Sequence, residues 1–142
     1  MGGNIVVKFE KRNVWLYTKK FYNLIPEILQ RALIRGRGSW GDTATLTHII
    51  YSEMVKLHLN DDKGFGISPY PMDNRGFIFG IDDQDEKVAI FFESGKLLKR
   101  IPFEQFCLLE DLSITNITEG QQWDYFQDTM DIIPDFTQTP YY

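Results

Sequence analysis

One cysteine, two histidines and a short run of acids are the residues of this chain that could carry chemistry. Cys107 with His48 or His58 would supply a thiol nucleophile and its base. Cys107, however, lies in the apolar run Phe106-Cys107-Leu108-Leu109, which predicts a buried and therefore inert thiol. The two histidines stand ten residues apart on one predicted helix, nearly three turns, whereas chelation from a helix uses i, i+4 spacing. Asp82, Asp83, Asp85 and Glu86 invite a calcium reading. Counting from Asp82 puts Lys87 where an EF-hand loop needs its sixth-position glycine, so a solvated hairpin tip is expected instead. The chain has no P-loop, no glycine-rich dinucleotide fingerprint and no nucleophile elbow. The expectation is a non-enzymatic protein with no cofactor and no metal.

Two further constellations suit binding better than catalysis. Lys8, Lys11, Arg12, Trp15, Tyr17, Lys19, Lys20, Phe21, Tyr22, Arg35, Arg37 and Trp40 mix cations with aromatics near the start. Surfaces for nucleic acid do this, because cations displace counterions from phosphates and aromatics stack on bases. Near the end, Trp123, Asp124, Asp128, Asp131, Asp135 and Phe136 join acids to aromatics. Spaced acids imitate phosphates, and aromatics supply contact area.

The charge is correspondingly uneven over the 142 residues. Residues 1–40 hold eight Lys or Arg against two acids, while residues 41–142 hold seven against eighteen. The last 32 residues contain six acids and no Lys or Arg. Either the basic start neutralises the acidic remainder within one molecule, or an acidic face is turned towards a charged partner. The net charge of −5 disfavours nucleic acid as that partner. An aromatic content of 15% excludes a disordered class. A lone cysteine excludes an internal disulfide. No apolar run approaches the roughly 18 residues of a membrane span, and the start has no signal-peptide core, so the expected location is the cytoplasm.

The elements that would position these residues follow from hydrophobic period. Residues 5–9 (IVVKF) predict a short strand, and residues 14–22 (VWLYTKKFY) suit strand or helix, with helix favoured. Ile25, Ile28, Leu29, Ala32 and Leu33 draw a helical stripe, with Pro26 in its first turn and Gly36 after its last. Asp42 or Thr43 caps a second helix, striped by Leu46, Ile49, Ile50, Met54 and Leu57 and ending near Leu59. After Gly64 the period changes. Strands are expected at 65–67, 76–81, 87–92 and 97–101, then a 3₁₀ turn at 103–106 and a last strand at 107–109. Residues 121–130 suit a brief helix and 132–142 an extended tail. The expected class is therefore α+β, organised as one domain over 1–112 (helical part 13–60, β part 64–112) and an irregular acidic segment over 113–142.

Residues 75–111, RGFIFGIDDQDEKVAIFFESGKLLKRIPFEQFCLLED, resemble small SH3-like barrels of the Tudor or KOW kind. A Gly-bounded strand, an acidic hairpin, a second strand, a Gly turn and a final strand follow in the same order. That resemblance implies a small antiparallel β-meander closed as a barrel, on which the N-terminal antiparallel helix pair read from the stripes would pack. Residues 14–59, including SWGDTATLTHIIYSEMVKLHL, are similar to short proteins of tailed phages, which implies a phage or mobile-element origin. Asp131 to Phe136 (DIIPDF) resembles the acidic Pro-Phe tip by which bacterial single-strand-binding proteins recruit partners.

These readings converge on an expectation. The chain would be an interaction protein whose acidic surface binds, and inhibits or redirects, a host nucleic-acid-handling protein with a basic face. The expected contacts are Asp82, Asp83, Asp85 and Glu86 on the hairpin, with Trp123, Asp124, Asp128, Asp131, Asp135 and Phe136 on the tail. Direct nucleic-acid binding through the basic-aromatic start, and a role in virion assembly, are the alternatives.

Overall fold

The computed structural model describes residues 2–57, 59–60, 63–71, 77–93 and 96–119. Strands β1 (Gly3–Lys8) and β2 (Asn13–Thr18) form an opening hairpin. Helices α1 (Ile25–Arg35) and α2 (Thr43–Val55) follow, each preceded by a 3₁₀ turn. The chain then forms β3 (Phe65–Ser68), β4 (Phe77–Asp82), β5 (Val88–Glu93) and β6 (Lys96–Pro102), and ends in short helices α3 (Phe103–Phe106) and α4 (Ile114–Glu119). All six strands share one sheet in the order β3-β2-β1-β4-β5-β6, with β1 parallel to β4 and every other pair antiparallel.

The architecture is α+β, but it is not the expected barrel. Strands β4 to β6 do form the anticipated meander. Yet β4 hydrogen-bonds β1 on its other side, and β2 and β3 extend the sheet beyond β1. A meander that gains three strands on one edge stays an open mixed sheet, so the closure implied by the SH3-like resemblance does not occur.

The second correction concerns residues 13–18, where a helix was favoured and β2 is found. Val14 and Leu16 face the helices, while Trp15 turns to the opposite side, the period-two alternation of a strand. The aromatic and β-branched residues then favour the pleated surface. Residues 107–109 are likewise not a strand. The Gln30 side-chain amide donates to the carbonyls of Phe106 (3.1 Å), Cys107 (3.4 Å) and Leu109 (2.8 Å), holding the segment against α1. Residues 103–106 form one α-helical turn instead of a 3₁₀ turn, and α2 stops at Val55, short of Leu59. The helix expected at 121–130 and the extended tail at 132–142 lie outside the described residues.

The helices form as their stripes predict. Every stripe residue of α1 is buried, and Asp42 caps α2 by accepting from the Thr45 N–H (3.3 Å). The main core lies between the helices and one sheet face, joining Ile28, Leu29, Leu33, Leu46 and Ile50 to Ile5, Leu16, Phe79 and Phe91. Gly3 permits this approach: a Cβ there would lie 2.6 Å from Ile25 Cδ1 and 2.9 Å from Tyr22 Cδ1. A smaller apolar cluster of Val6, Trp15, Ile78, Val88 and Ile90 occupies the other face.

Candidate protein-interaction surface

The acidic run sits at the end of the β4–β5 hairpin, and the fold divides it. Asp82 closes β4 and is almost fully buried; its Oδ1 accepts from the backbone N–H groups of Gln84 (3.3 Å) and Asp85 (3.1 Å). Short acidic side chains close turns in this way by standing in for a backbone acceptor. Asp83 is completely buried. Its Oδ1 accepts from the Thr43 hydroxyl (2.7 Å) and its Oδ2 from the Gly41 N–H (3.0 Å). Gly41 presents that N–H from a φ of +101°, a conformation that glycine adopts without strain. Gln84 adds a bond from Nε2 to Thr43 Oγ1 (2.7 Å). Asp82 and Asp83 are thus committed inside the molecule, contrary to the expected solvated tip, and Asp83 pins the hairpin to the start of α2.

Asp85 and Glu86 are the outward part of the run. The Asp85 side chain is 74% exposed and lies 3.7 Å from Lys8 Nζ, and the half-exposed Glu86 carboxylate pairs with Arg100. Lys8 reaches the hairpin because β1 runs parallel to β4 with Val7 opposite Ile81, which puts both strand ends together. The same ammonium lies 3.9 Å from Asp82 Oδ2. Beside it the β1–β2 turn, closed by a Phe9 N–H to Arg12 carbonyl bond (3.1 Å), carries the exposed Glu10. Lys8, Phe9, Glu10, Asp82, Gln84 and Asp85 line an open cleft of about 480 Å³. Three carboxylates face one ammonium there, so the cleft is negative and suits a guanidinium or ammonium better than an anion.

The expected tail contacts, Trp123, Asp124, Asp128, Asp131, Asp135 and Phe136, lie outside the described residues, as does His58. Lys8, Glu10 and Gln84 were not singled out as contacts. The signal for Lys8 was faint but present. IVV in β1 and FIFGI in β4 are nearly continuous apolar runs, the mark of strands buried on both faces at a sheet centre.

The charge asymmetry is partly spent internally. Among the described residues, three of the eight cations in residues 1–40 are seen to pair with later acids: Lys8 as above, Arg35 with the buried Glu53, and Arg37 with Glu104 (2.6 Å). Glu53 also accepts from Lys56 (2.9 Å). Burial pulls its carboxyl upward, but the hydrogen bonds and charges of Lys56 and Arg35 outweigh that and hold it below the ordinary range. The aromatics of the start are largely core. Trp15 is fully buried, Tyr22 nearly so, and Phe21 stacks on Phe65 at 6.3 Å between ring centres.

Burial pushes the Cys107 thiol up; Arg37 draws it down and Glu104 pushes it up again, and the net direction is upward. Its surroundings are a packing cluster, with Arg37 4.8 Å above the Trp40 ring and Trp40 edge-on to Phe103 at 5.1 Å. His48 is exposed on α2. Among the described residues no group of three or more His, Cys, Asp or Glu could hold a metal ion, and no helix is long and apolar enough to cross a membrane. No protein-family model, curated protein or solved structure matches the chain.

Proposed function

We propose that this chain is a non-enzymatic interaction protein that receives a basic side chain of a protein partner in the cleft between the β1–β2 turn and the β4–β5 hairpin. The observation that supports the reading is the composition of that cleft, with Glu10, Asp82 and Asp85 against the single ammonium of Lys8. Asp82 is buried beneath the cleft and held there by backbone N–H groups, so it adds a fixed negative field while Glu10 and Asp85 make the contact. Asp85 and Glu10, at the rim, would speed encounter with a basic partner and give the interaction its salt dependence. A nucleic-acid-handling protein of a phage host, with its cationic binding face, is the partner class that this chemistry fits, and occupying that face would inhibit or redirect it.

The alternative of direct nucleic-acid binding loses support from burial, because Trp15 and Tyr22 have no face free for base stacking.

The test is fluorescence anisotropy of a labelled arginine-rich peptide with the full chain, at low and high salt, beside the Glu10→Lys variant. Binding that weakens with salt and weakens again in E10K supports the cleft. Peptide affinity indifferent to both removes it.

A further inference from the structure

The sheet ends in two edge strands, and only one is guarded. Strand β6 carries Lys96, Lys99 and Arg100, closes on Pro102, and shifts register against β5 between Phe91 and Phe92. Charges, proline and irregular pairing are the usual means by which an edge is kept from joining another strand. Strand β3, reading Phe65-Gly66-Ile67-Ser68, has neither a charge nor a proline. Among the described residues it pairs with β2 alone.

Ladder geometry fixes which backbone groups of β3 are spent. The Lys19 N–H donates to the Gly64 carbonyl (2.8 Å), and the register continues through Thr18–Phe65 and Tyr17–Gly66 to Trp15–Ser68. Bonded and non-bonded pairs alternate along an antiparallel ladder. Gly66 and Ser68 therefore bond β2, while Phe65 and Ile67 turn their N–H and carbonyl groups outward. The side chains agree with this. Phe65 packs against the main core, and Ile67, on the same face opposite Leu16, is left 61% exposed. A Cβ at Gly66 would meet no atom within 4 Å. The edge is open along its backbone, apolar at Ile67 and unobstructed at Gly66.

The strand that fits this edge by symmetry is β3 itself. Antiparallel pairing about a two-fold axis at Gly66 sets Phe65 opposite Ile67 of a second copy, and Ile67 opposite its Phe65. Both become bonded pairs, because all four residues turn their backbone groups outward. The same register seats each exposed Ile67 beside an aromatic ring, a favourable cross-strand pair, and leaves no side chain between the facing glycines. An axis at Ile67 would instead bring Pro69, which has no N–H, to a bonding position. An axis at Phe65 would set Ile67 against Lys63, outside the strand.

We propose that β3 is a self-association edge, by which two copies of this chain join their six-stranded sheets through Phe65–Ile67 pairs about Gly66. The paired stretch is short, so the dimer is weak and concentration-dependent. The proposal does not depend on the function assigned to the cleft.

The experiment is sedimentation velocity on the full chain from low micromolar to submillimolar concentration, beside Ile67→Lys. The natural chain is expected to move from monomer towards dimer, and I67K to stay monomeric throughout with an unchanged unfolding midpoint at high dilution. Register is read by mild oxidation of Gly66→Cys in a Cys107→Ser background. Facing residues of a non-bonded antiparallel pair have Cα atoms about 4.5 Å apart, within disulfide reach, so this variant should form a covalent dimer. Ser68→Cys in the same background would face Gly64 of the second copy, about 13 Å along the strand from its own counterpart, and should stay uncrosslinked. A natural chain monomeric at every concentration, a dimer indifferent to I67K, or crosslinking at position 68 as fast as at 66 overturns the proposal.

Discussion

Asp82 and Asp83 stand two to four positions from Asp85 and Glu86 in one acidic run, yet the fold gives them opposite tasks. The first pair is buried, accepting hydrogen bonds from the hairpin's own backbone and from the Gly41–Thr43 loop. The second pair is turned outward beside Lys8 and Arg100. The comparison teaches that a run of like charges is not one surface. A carboxylate survives inside only where donors replace its water, and the loop before α2 supplies those donors to Asp83 alone.

The sharpest way to break this division is to remove each acid in turn. Asp83→Ala deletes one buried and one part-buried charge-assisted hydrogen bond and leaves the buried Thr43 hydroxyl without its acceptor, which should cost about 3 kcal/mol in urea unfolding. Asp85→Ala should change stability by less than about 0.5 kcal/mol. Equal losses would mean that the run acts as one unit. For binding the order reverses. Asp85→Lys should weaken a basic peptide by about tenfold, or 1.4 kcal/mol, whereas Asp83→Asn, measured where it remains folded, should leave affinity unchanged.

Glu53 extends the comparison to a third buried acid, paired with Arg35 and Lys56. Its carboxyl titrates lower folded than unfolded, so the unfolded chain binds the proton first as pH falls. The stability it contributes is present above the ordinary carboxylate value of about 4.3 and is lost as pH drops through its lower folded value. Unfolding measured from pH 6 downward should therefore show a shallower acid decline in Glu53→Gln than in the natural chain. A parallel decline would contradict the assignment. The smallest expected effect is at the far end of the hairpin turn, where Lys87 holds a φ of +56°. Lys87→Gly should stabilise the protein by up to about 1 kcal/mol, read as a higher urea midpoint without change in peptide affinity.

The same contrast explains what was legible beforehand. Helices α1 and α2 and the β4–β5–β6 meander are local: stripes at three and four, a proline, a capping Asp42 and polar turns define them. Strand β2 was misread because Lys19-Lys20-Phe21-Tyr22 prolong its apolar-polar pattern into a run long enough for helix, and only its pairing with β1 and β3 decides the matter. The open sheet was hidden for a related reason. Joining β4 to β1 in parallel links residues more than seventy positions apart, and no local period reports it. The acids of the candidate site were visible as a run, but the burial of Asp82 and Asp83 was not, since their partners lie at residues 41, 43 and 8. Those long-range donors turned an expected recognition tip into a structural clasp with an outward rim.

The central claim is that the cleft between the β1–β2 turn and the hairpin takes a cationic side chain. Its most direct test is a nuclear magnetic resonance titration of the full chain with an arginine-rich peptide at low salt. The account predicts that amide signals of Lys8, Glu10, Gln84 and Asp85 move first and furthest, and return as salt is added. Shifts confined to other surfaces, or none at these four residues under saturating peptide, would contradict it.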